Sequence, residues 1–398
     1  MNGEGKTMDN VIGEVAFRFS SRFSQLIGRN LISNPIVAVS ELVKNSYDAD
    51  ADNISVEFNN LLSGTSTLTI TDDGEGMTFD DIATKWMMVG TDNKVHNPFT
   101  KKGRRKLGEK GIGRFSVERL ANQLQIISSR SGDDFAVSLS IDWDQYEAYT
   151  GEFSQLTHSV LRIPYDIERK GTTLILSELR DEWGENDLLN LQKEIELLRP
   201  LNINKLSYRK YNFPGDNVKI HLIAPEILKK KKLIDSNFID YAQAHLYGEI
   251  RDNGSAVVRV LIKSNISASK SEIQAEYTYT STDIDTCCGP VTYEVFIFLK
   301  DKRLYRSLSV DNKNLDDYLN AFCGVKIYRD GFRILPFGDK DNDWLELNAK
   351  RTGSPEFRVA TYNTIGVVYI SRDKNPGLQD VLSRENMYET PEYRSLKN

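Results

Sequence analysis

Cysteine is scarce in this 398-residue chain, with three in all, two of them adjacent at Cys287 and Cys288. That supply cannot build a disulfide framework and lacks the paired spacing of a zinc site, so reduced thiols are expected. Long apolar runs are also missing: no uncharged stretch approaches the roughly 18 residues that span a bilayer, and the N-terminal MNGEGKTMDN has no apolar signal core. A soluble, cytoplasmic protein without membrane contact is expected. Basic excess is absent too. The formal net charge of -6 argues against a dedicated nucleic-acid surface, although local basic patches remain compatible with it. The length allows two domains, each with its own core.

The first half alternates helical and strand signals. Asn34-Pro35 reads as a helix start, with helical periodicity to about Ala51. Strands are expected over 54–60, 67–71, 124–129, 135–143 and 172–179, and helices over 79–89 and 186–199. The Lys-, Arg- and Gly-rich stretch from Thr91 to Lys110 has no apolar period, a length of loop that is usually functional. The pattern is α+β, helices on one side of a mixed sheet. From about residue 205 strand-like runs dominate, at 218–224, 256–262, 293–299, 324–330 and 366–371, and a second α/β domain is expected there.

Three features carry chemistry. Glu41, Asn45 and Asp48, spaced i, i+4, i+7, share one helix face opposite Val39 and Val43, an acid-amide-acid stripe suited to a water and a divalent metal. A solvated helix face would have the same look. Next, Asp72, Gly74 and Gly76 follow a strand directly. Glycines there permit a sharp turn and the close approach of a flat ligand, while the carboxylate can accept from an exocyclic amine; a plain turn has the same composition. Third, Gly108, Gly111 and Gly113 precede a helical segment and form a candidate anion nest for phosphates. Two familiar motifs nearly match here and fail: Glu109 stands where a P-loop needs lysine, and Gly111-Ile112-Gly113 follows a basic loop instead of a strand.

Taken in order, Glu41-x-x-x-Asn45-x-x-Asp48-Ala49, Asp72-x-Gly74-x-Gly76, Gly108-x-x-Gly111-x-Gly113 and Gly171-Thr172 resemble the GHKL superfamily of gyrase B, heat-shock chaperone, histidine kinase and MutL ATPases over about residues 15 to 180. The resemblance implies a two-layer α/β sandwich of Bergerat type over 31–204, a lid at about 91–110, an N-terminal strap over 1–30 and, over 205–398, a transducer domain with a ribosomal-protein-like fold. It implies ATP and Mg as cofactors. Glu41 would then be the general base and Asn45 the metal ligand. Asp72 with Thr172 would select adenine, with Asp48, Gly74, Gly76 and Met77 on the base side. Gly108, Gly111, Ile112, Gly113, Arg114 and Phe115 would cradle the phosphates.

The run GVKIYRDGFRILPFGDKDNDWLELNAKR resembles the transducer of bacterial MORC-like and chaperone-like ATPases, and LSREN resembles a catalytic-arginine loop. Arg384 is therefore the expected γ-phosphate sensor, with Lys350 or Arg351 in reserve. No phospho-acceptor helix of histidine-kinase type is recognisable. The likeness implies an ATP-dependent homodimer and a switch in bacterial genome defence, with a protein effector on another chain or in a further C-terminal region. The alternatives are a DNA repair or topology clamp of MutL or gyrase type, and an ATP-gated interaction module with little turnover.

Overall fold

A computed structural model describes residues 10–19, 34–89, 98–107, 115–150, 153–164, 170–198, 218–228, 239, 241–253, 255–266, 271–281, 287–299, 312–354, 359–379, 381 and 386–397. The chain divides into two compact units, Met1–Glu196 with Lys210–Lys230, and Leu197–Arg209 with Lys231–Asn398. Both are α+β.

Among the described residues, the first unit is built on a mixed eight-stranded sheet in the order β1-β8-β7-β6-β9-β4-β3-β10. Its strands are β1 (Val11–Ala16), β3 (Asn53–Asn59), β4 (Thr67–Asp72), β6 (Ala121–Ser129), β7 (Phe135–Asp142), β8 (Thr157–Pro164), β9 (Gly171–Leu179) and β10 (Lys219–Ile223). A separate short ladder joins β2 (Arg18–Phe19) to β5 (Met88–Val89). Burial in β3 and β4 alternates residue by residue, with Ile54, Val56, Phe58, Leu68 and Ile70 turned inward, as period-two strands with one covered face require.

Helix α1 (Pro35–Asp48) starts where expected: Asn34 caps it by accepting from the Ile36 amide, and Pro35 occupies the first turn, where its missing N–H costs nothing. The stripe reading needs one amendment. Glu41 is 3 % exposed, as buried as Val39 and Val43, because this helix is covered on most sides and not on one face alone. The segment expected as one helix over 79–89 begins as α2 (Phe79–Asp81) and continues as a π-helical turn, Ile82–Trp86, before β5. Helix α3 (Phe115–Leu120) packs on α1, and α4 (Asp144–Ala148) and α5 (Glu185–Leu197) complete the unit.

Two strands of the eight-stranded sheet escaped the sequence reading, β1 and β8, which pair antiparallel with each other. A third was assigned to the wrong half. The run at 218–224, expected in the second domain, supplies β10, which pairs parallel with β3 in the first sheet. It is tied in by the Lys219 amide on the Asp52 carbonyl and by the Glu226 carboxylate, which accepts from the Asn60 and Leu62 amides. Alternation identifies a strand but says nothing of its partner.

The second unit carries, among the described residues, a seven-stranded sheet in the order β13-β12-β11-β14-β17-β15-β16. These are β11 (Ala244–Ile250), β12 (Ala256–Ile266), β13 (Ser271–Ser281), β14 (Val291–Ile297), β15 (Gly324–Arg329), β16 (Phe332–Ile334) and β17 (Thr364–Ile370). All neighbours are antiparallel except β15 and β17. Helix α6 (Asn312–Phe322) covers one face through Leu315, Tyr318, Leu319 and Phe322, which meet Phe296 and Ile365. Val325, Ile327, Phe337, Trp344 and Tyr393 form a second cluster with α7 (Leu347–Gly353) and α8 (Pro391–Lys397) beside it. Among the described residues no helix is long and apolar enough to cross a membrane.

Candidate functional site

Strand β4 ends at Asp72, and its carboxyl group organises the site. The Gly74 amide (2.9 Å) and the Thr172 amide (3.3 Å) donate to Oδ1, and the Ser46 hydroxyl donates to Oδ2 at 2.8 Å. Loss of water pushes the pKa of this buried carboxyl up to about 6, against the pull of the three hydrogen bonds. A carboxylate offers about four lone-pair positions, and three are used among the described residues, so Oδ2 retains one there for a further donor.

Around it stands a second polar centre. Ser128 on β6 accepts from the Met77 amide (2.8 Å), donates to the Gly171 carbonyl (3.1 Å) and lies 2.9 Å from the Thr172 hydroxyl. The residues predicted from two separate motifs, Asp72, Gly74, Met77 and Thr172, are thus joined in one network. Sequence reasoning missed Ser46 and Ser128. Ser46 had a signal, since it is a small polar residue one turn beyond Leu42 on the buried side of α1 and is 5 % exposed. Ser128 had none, because a serine in a strand is ordinary.

The glycines beside Asp72 permit a sharp turn, as expected, and also leave room for the protein's own backbone. A Cβ on Gly74 would stand 2.6 Å from the Ala49 carbonyl oxygen, and one on Gly76 1.9 Å from that of Ser129. The space is filled by the protein's own backbone. Gly76 also has φ +70, a left-handed conformation that favours glycine. These positions therefore let the loop after β4 lie against the end of α1 and against β6.

Helix α1 presents the catalytic candidates. Glu41 pairs with Lys44 at 3.0 Å, both largely shielded from water. Asn45, one turn on, is half-buried, and its neighbour Ser46 is the group that meets Asp72. Asp48 is half-buried and accepts from the Leu107 amide at 2.8 Å.

Within the expected lid, Thr91 to Lys110, the described residues 98–107 form a small hairpin. The Thr100 amide bonds the Arg104 carbonyl and the Lys106 amide the Pro98 carbonyl, both at 2.8 Å, around a Phe99–Arg105 bridge. Gly108, Gly111, Ile112, Gly113 and Arg114 lie outside the described residues, as does Arg384; Phe115 opens α3. Lys350 and Arg351 are exposed on α7 in the second unit, Arg351 with its guanidinium 5.1 Å from the Tyr362 ring. Among the described residues no group of three or more His, Cys, Asp or Glu is placed to hold a metal. The strap expected over 1–30 falls partly outside the described residues, and Val11–Ala16 within it is the edge strand β1.

A helix with a buried glutamate and a following amide is thus packed by way of Ser46 on a buried aspartate at a strand end. Residues 32–167 match the family described as histidine kinase-, DNA gyrase B- and HSP90-like ATPase, and this segment is of the GHKL superfamily. A Herpetosiphon aurantiacus protein named as a candidate type II restriction enzyme, HgiDII, is 27 % identical over 175 residues, 42 % of this chain and 26 % of that protein. DNA mismatch repair protein MutL of Dictyoglomus turgidum is 43 % identical over 58 residues, 15 % of this chain and 10 % of its own length. MutL of Streptococcus thermophilus is 30 % identical over 116 residues, 29 % and 17 % respectively. The matches thus span about a quarter or less of these relatives.

Proposed function

We propose that the chain binds and hydrolyses Mg-ATP and uses nucleotide-gated pairing of two copies as a molecular switch of MORC-like or chaperone-like kind, acting in genome defence through a protein effector. The observation that carries the nucleotide reading is the open lone pair on buried Asp72, next to Thr172 and across Ser46 from the helix that bears Glu41 and Asn45. A desolvated acceptor of this kind selects a ligand with an exocyclic amine at its edge, as adenine has, because a ligand with an acceptor there leaves two unpaired groups. The residues also fit a magnesium ion, which keeps several waters and phosphate oxygens and needs few protein ligands, so the Asn45 amide oxygen would suffice. Bound there, the metal supplies charge neutralisation at the phosphates.

Glu41 takes the proton of the attacking water, a task for a carboxylate within hydrogen-bond reach of it. Thr172 holds a water at the base edge, and the amides of Gly108, Gly111, Ile112, Gly113, Arg114 and Phe115 receive the phosphates. The second unit is proposed as the transducer, with Arg384, or else Lys350 or Arg351, reaching the terminal phosphate. A Glu41→Ala protein should still pair into dimers with ATP while phosphate release drops by at least about 10²-fold, as loss of a general base does. Equal turnover in the two proteins would remove Glu41 from its role.

The likeness to MutL favours a second reading, a nucleotide-gated DNA clamp. Duplex DNA that stimulates ATP turnover, with a steep loss as salt rises, supports it; indifference to DNA supports the protein-partner switch.

A further inference from the structure

Asp72, Thr172 and Ser128 stand abreast across three strands. Asp72 on β4 is the register partner of Thr172 on β9, and Thr172 is the partner of Ser128 on β6. Residues directly opposite one another in antiparallel strands share a face, so the three polar side chains form one row. Asp72 and Ser128 are buried and Thr172 is half-buried. The contacts fix where the hydroxyl protons of this row lie. A serine hydroxyl has one proton and two lone pairs. The Gly171 carbonyl can only accept, so its 3.1 Å hydrogen bond with Ser128 Oγ takes the serine proton. The Met77 amide, at 2.8 Å, uses one Oγ lone pair. The 2.9 Å contact between the two hydroxyls then forms only with Thr172 as donor and the second Ser128 lone pair as acceptor.

Among the described residues Thr172 Oγ1 makes no other hydrogen bond, so with its proton spent on Ser128 it presents lone pairs alone. Its backbone amide is spent as well, on Asp72 Oδ1, and Asp72 Oδ2 keeps its own open position. The two side chains therefore offer acceptors and no donor. We infer that Ser128 is a positioning residue for the choice of nucleobase: by taking the Thr172 proton it makes Thr172 an acceptor beside Asp72, and the pair favours a 6-amino purine over a 6-oxo purine. The inference rests on the nucleotide reading above and deepens it. Ser128 touches no ligand; it acts through the Thr172 hydroxyl. A primary amine brings N–H groups that both acceptors can use, whereas a carbonyl in its place meets no side-chain donor in the row. The water proposed at Thr172 likewise meets an acceptor and donates to it.

ADP and IDP differ at this edge alone, an amine and a bare ring nitrogen against a carbonyl and a ring N–H. Calorimetry on the full chain with magnesium present should find ADP bound more tightly than IDP. Ser128→Ala releases the Thr172 proton to serve a ligand carbonyl, and the ratio of the two affinities should fall by about tenfold, the scale of one hydrogen bond. Ser128→Thr keeps a hydroxyl and should restore most of the ratio. Ser128→Cys, which replaces the hydroxyl by a weaker partner, should show the same shift in smaller measure should Ser128→Ala not fold. A serine that only braces the strands would weaken both nucleotides together. On a Thr172→Val background there is no proton to release, and there Ser128→Ala should change the ratio by less than about twofold. A ratio left unchanged by Ser128→Ala, or a shift just as large without the Thr172 hydroxyl, overturns the role of Ser128. Failure of the unsubstituted protein to bind either nucleotide instead sinks the nucleotide reading itself.

Discussion

At Asp72, burial and three donors act in opposite directions on one carboxyl group, and burial wins, raising its pKa from 3.8 to about 6. Between those two values the native state holds more protons at this group than the unfolded chain, so stability falls as pH rises across the window. At neutral pH the cost stands in full, roughly 3 kcal/mol. Asp72→Asn should therefore raise the urea midpoint at pH 7.5, with Oδ1 keeping the two amide donors and the new amide donating to Ser46, and the difference should shrink toward pH 4. The same substitution should abolish adenine-nucleotide binding, and the unsubstituted protein should lose affinity as pH drops below about 6. An Asp72→Asn protein whose stability advantage over its parent is no greater at pH 7.5 than at pH 4 would contradict this. Asp72 and Thr172, which the structure brings together, could be singled out in the sequence because a motif constrains residue type and spacing together. Ser46 and Ser128 were less legible, because what makes them matter is which buried carboxylate or amide they face, and that depends on contacts between elements.

Among elements, those stabilised locally were read well. Helix α1 is set by its Asn34 cap and Pro35, and β3, β4, β6, β7 and β9 by alternation with a covered face. What local pattern could not give was partnership: β10 belongs beside β3, and β1 lies on β8. The lid hairpin was hidden for another reason. Its hydrogen bonds run to the acid turn after α1, about half a hundred positions away in the chain, and a basic, glycine-bearing run looks the same whether seated or free. Of the two reasons for glycine after Asp72, the sharp turn is seen in the φ of +70 at Gly76, and the near neighbours of both glycines are the protein's own backbone. Gly76→Ala tests this. A Cβ 1.9 Å from the Ser129 carbonyl at φ +70 should cost at least about 2 kcal/mol, read as a lower urea midpoint in the absence of any nucleotide. A glycine needed only for ligand approach would leave that midpoint unchanged.

Over the whole molecule, each unit has its own sheet and core, and the superfamily match falls within the first. The α+β class and the ATPase superfamily were both readable from the sequence, because four short motifs in fixed order are far more specific than any one of them. The identity of a client was not, since partner surfaces carry no comparable motif. The most direct test of the account is calorimetric titration of the purified chain, with magnesium present, by non-hydrolysable ATP and GTP analogues. Saturable binding of the adenine analogue, weakening of the guanine analogue by at least about 10²-fold and loss of both in Asp72→Asn are predicted from the discrimination that a buried unpaired acceptor provides. Absence of binding by the adenine analogue, or equal affinity for the two, would contradict it.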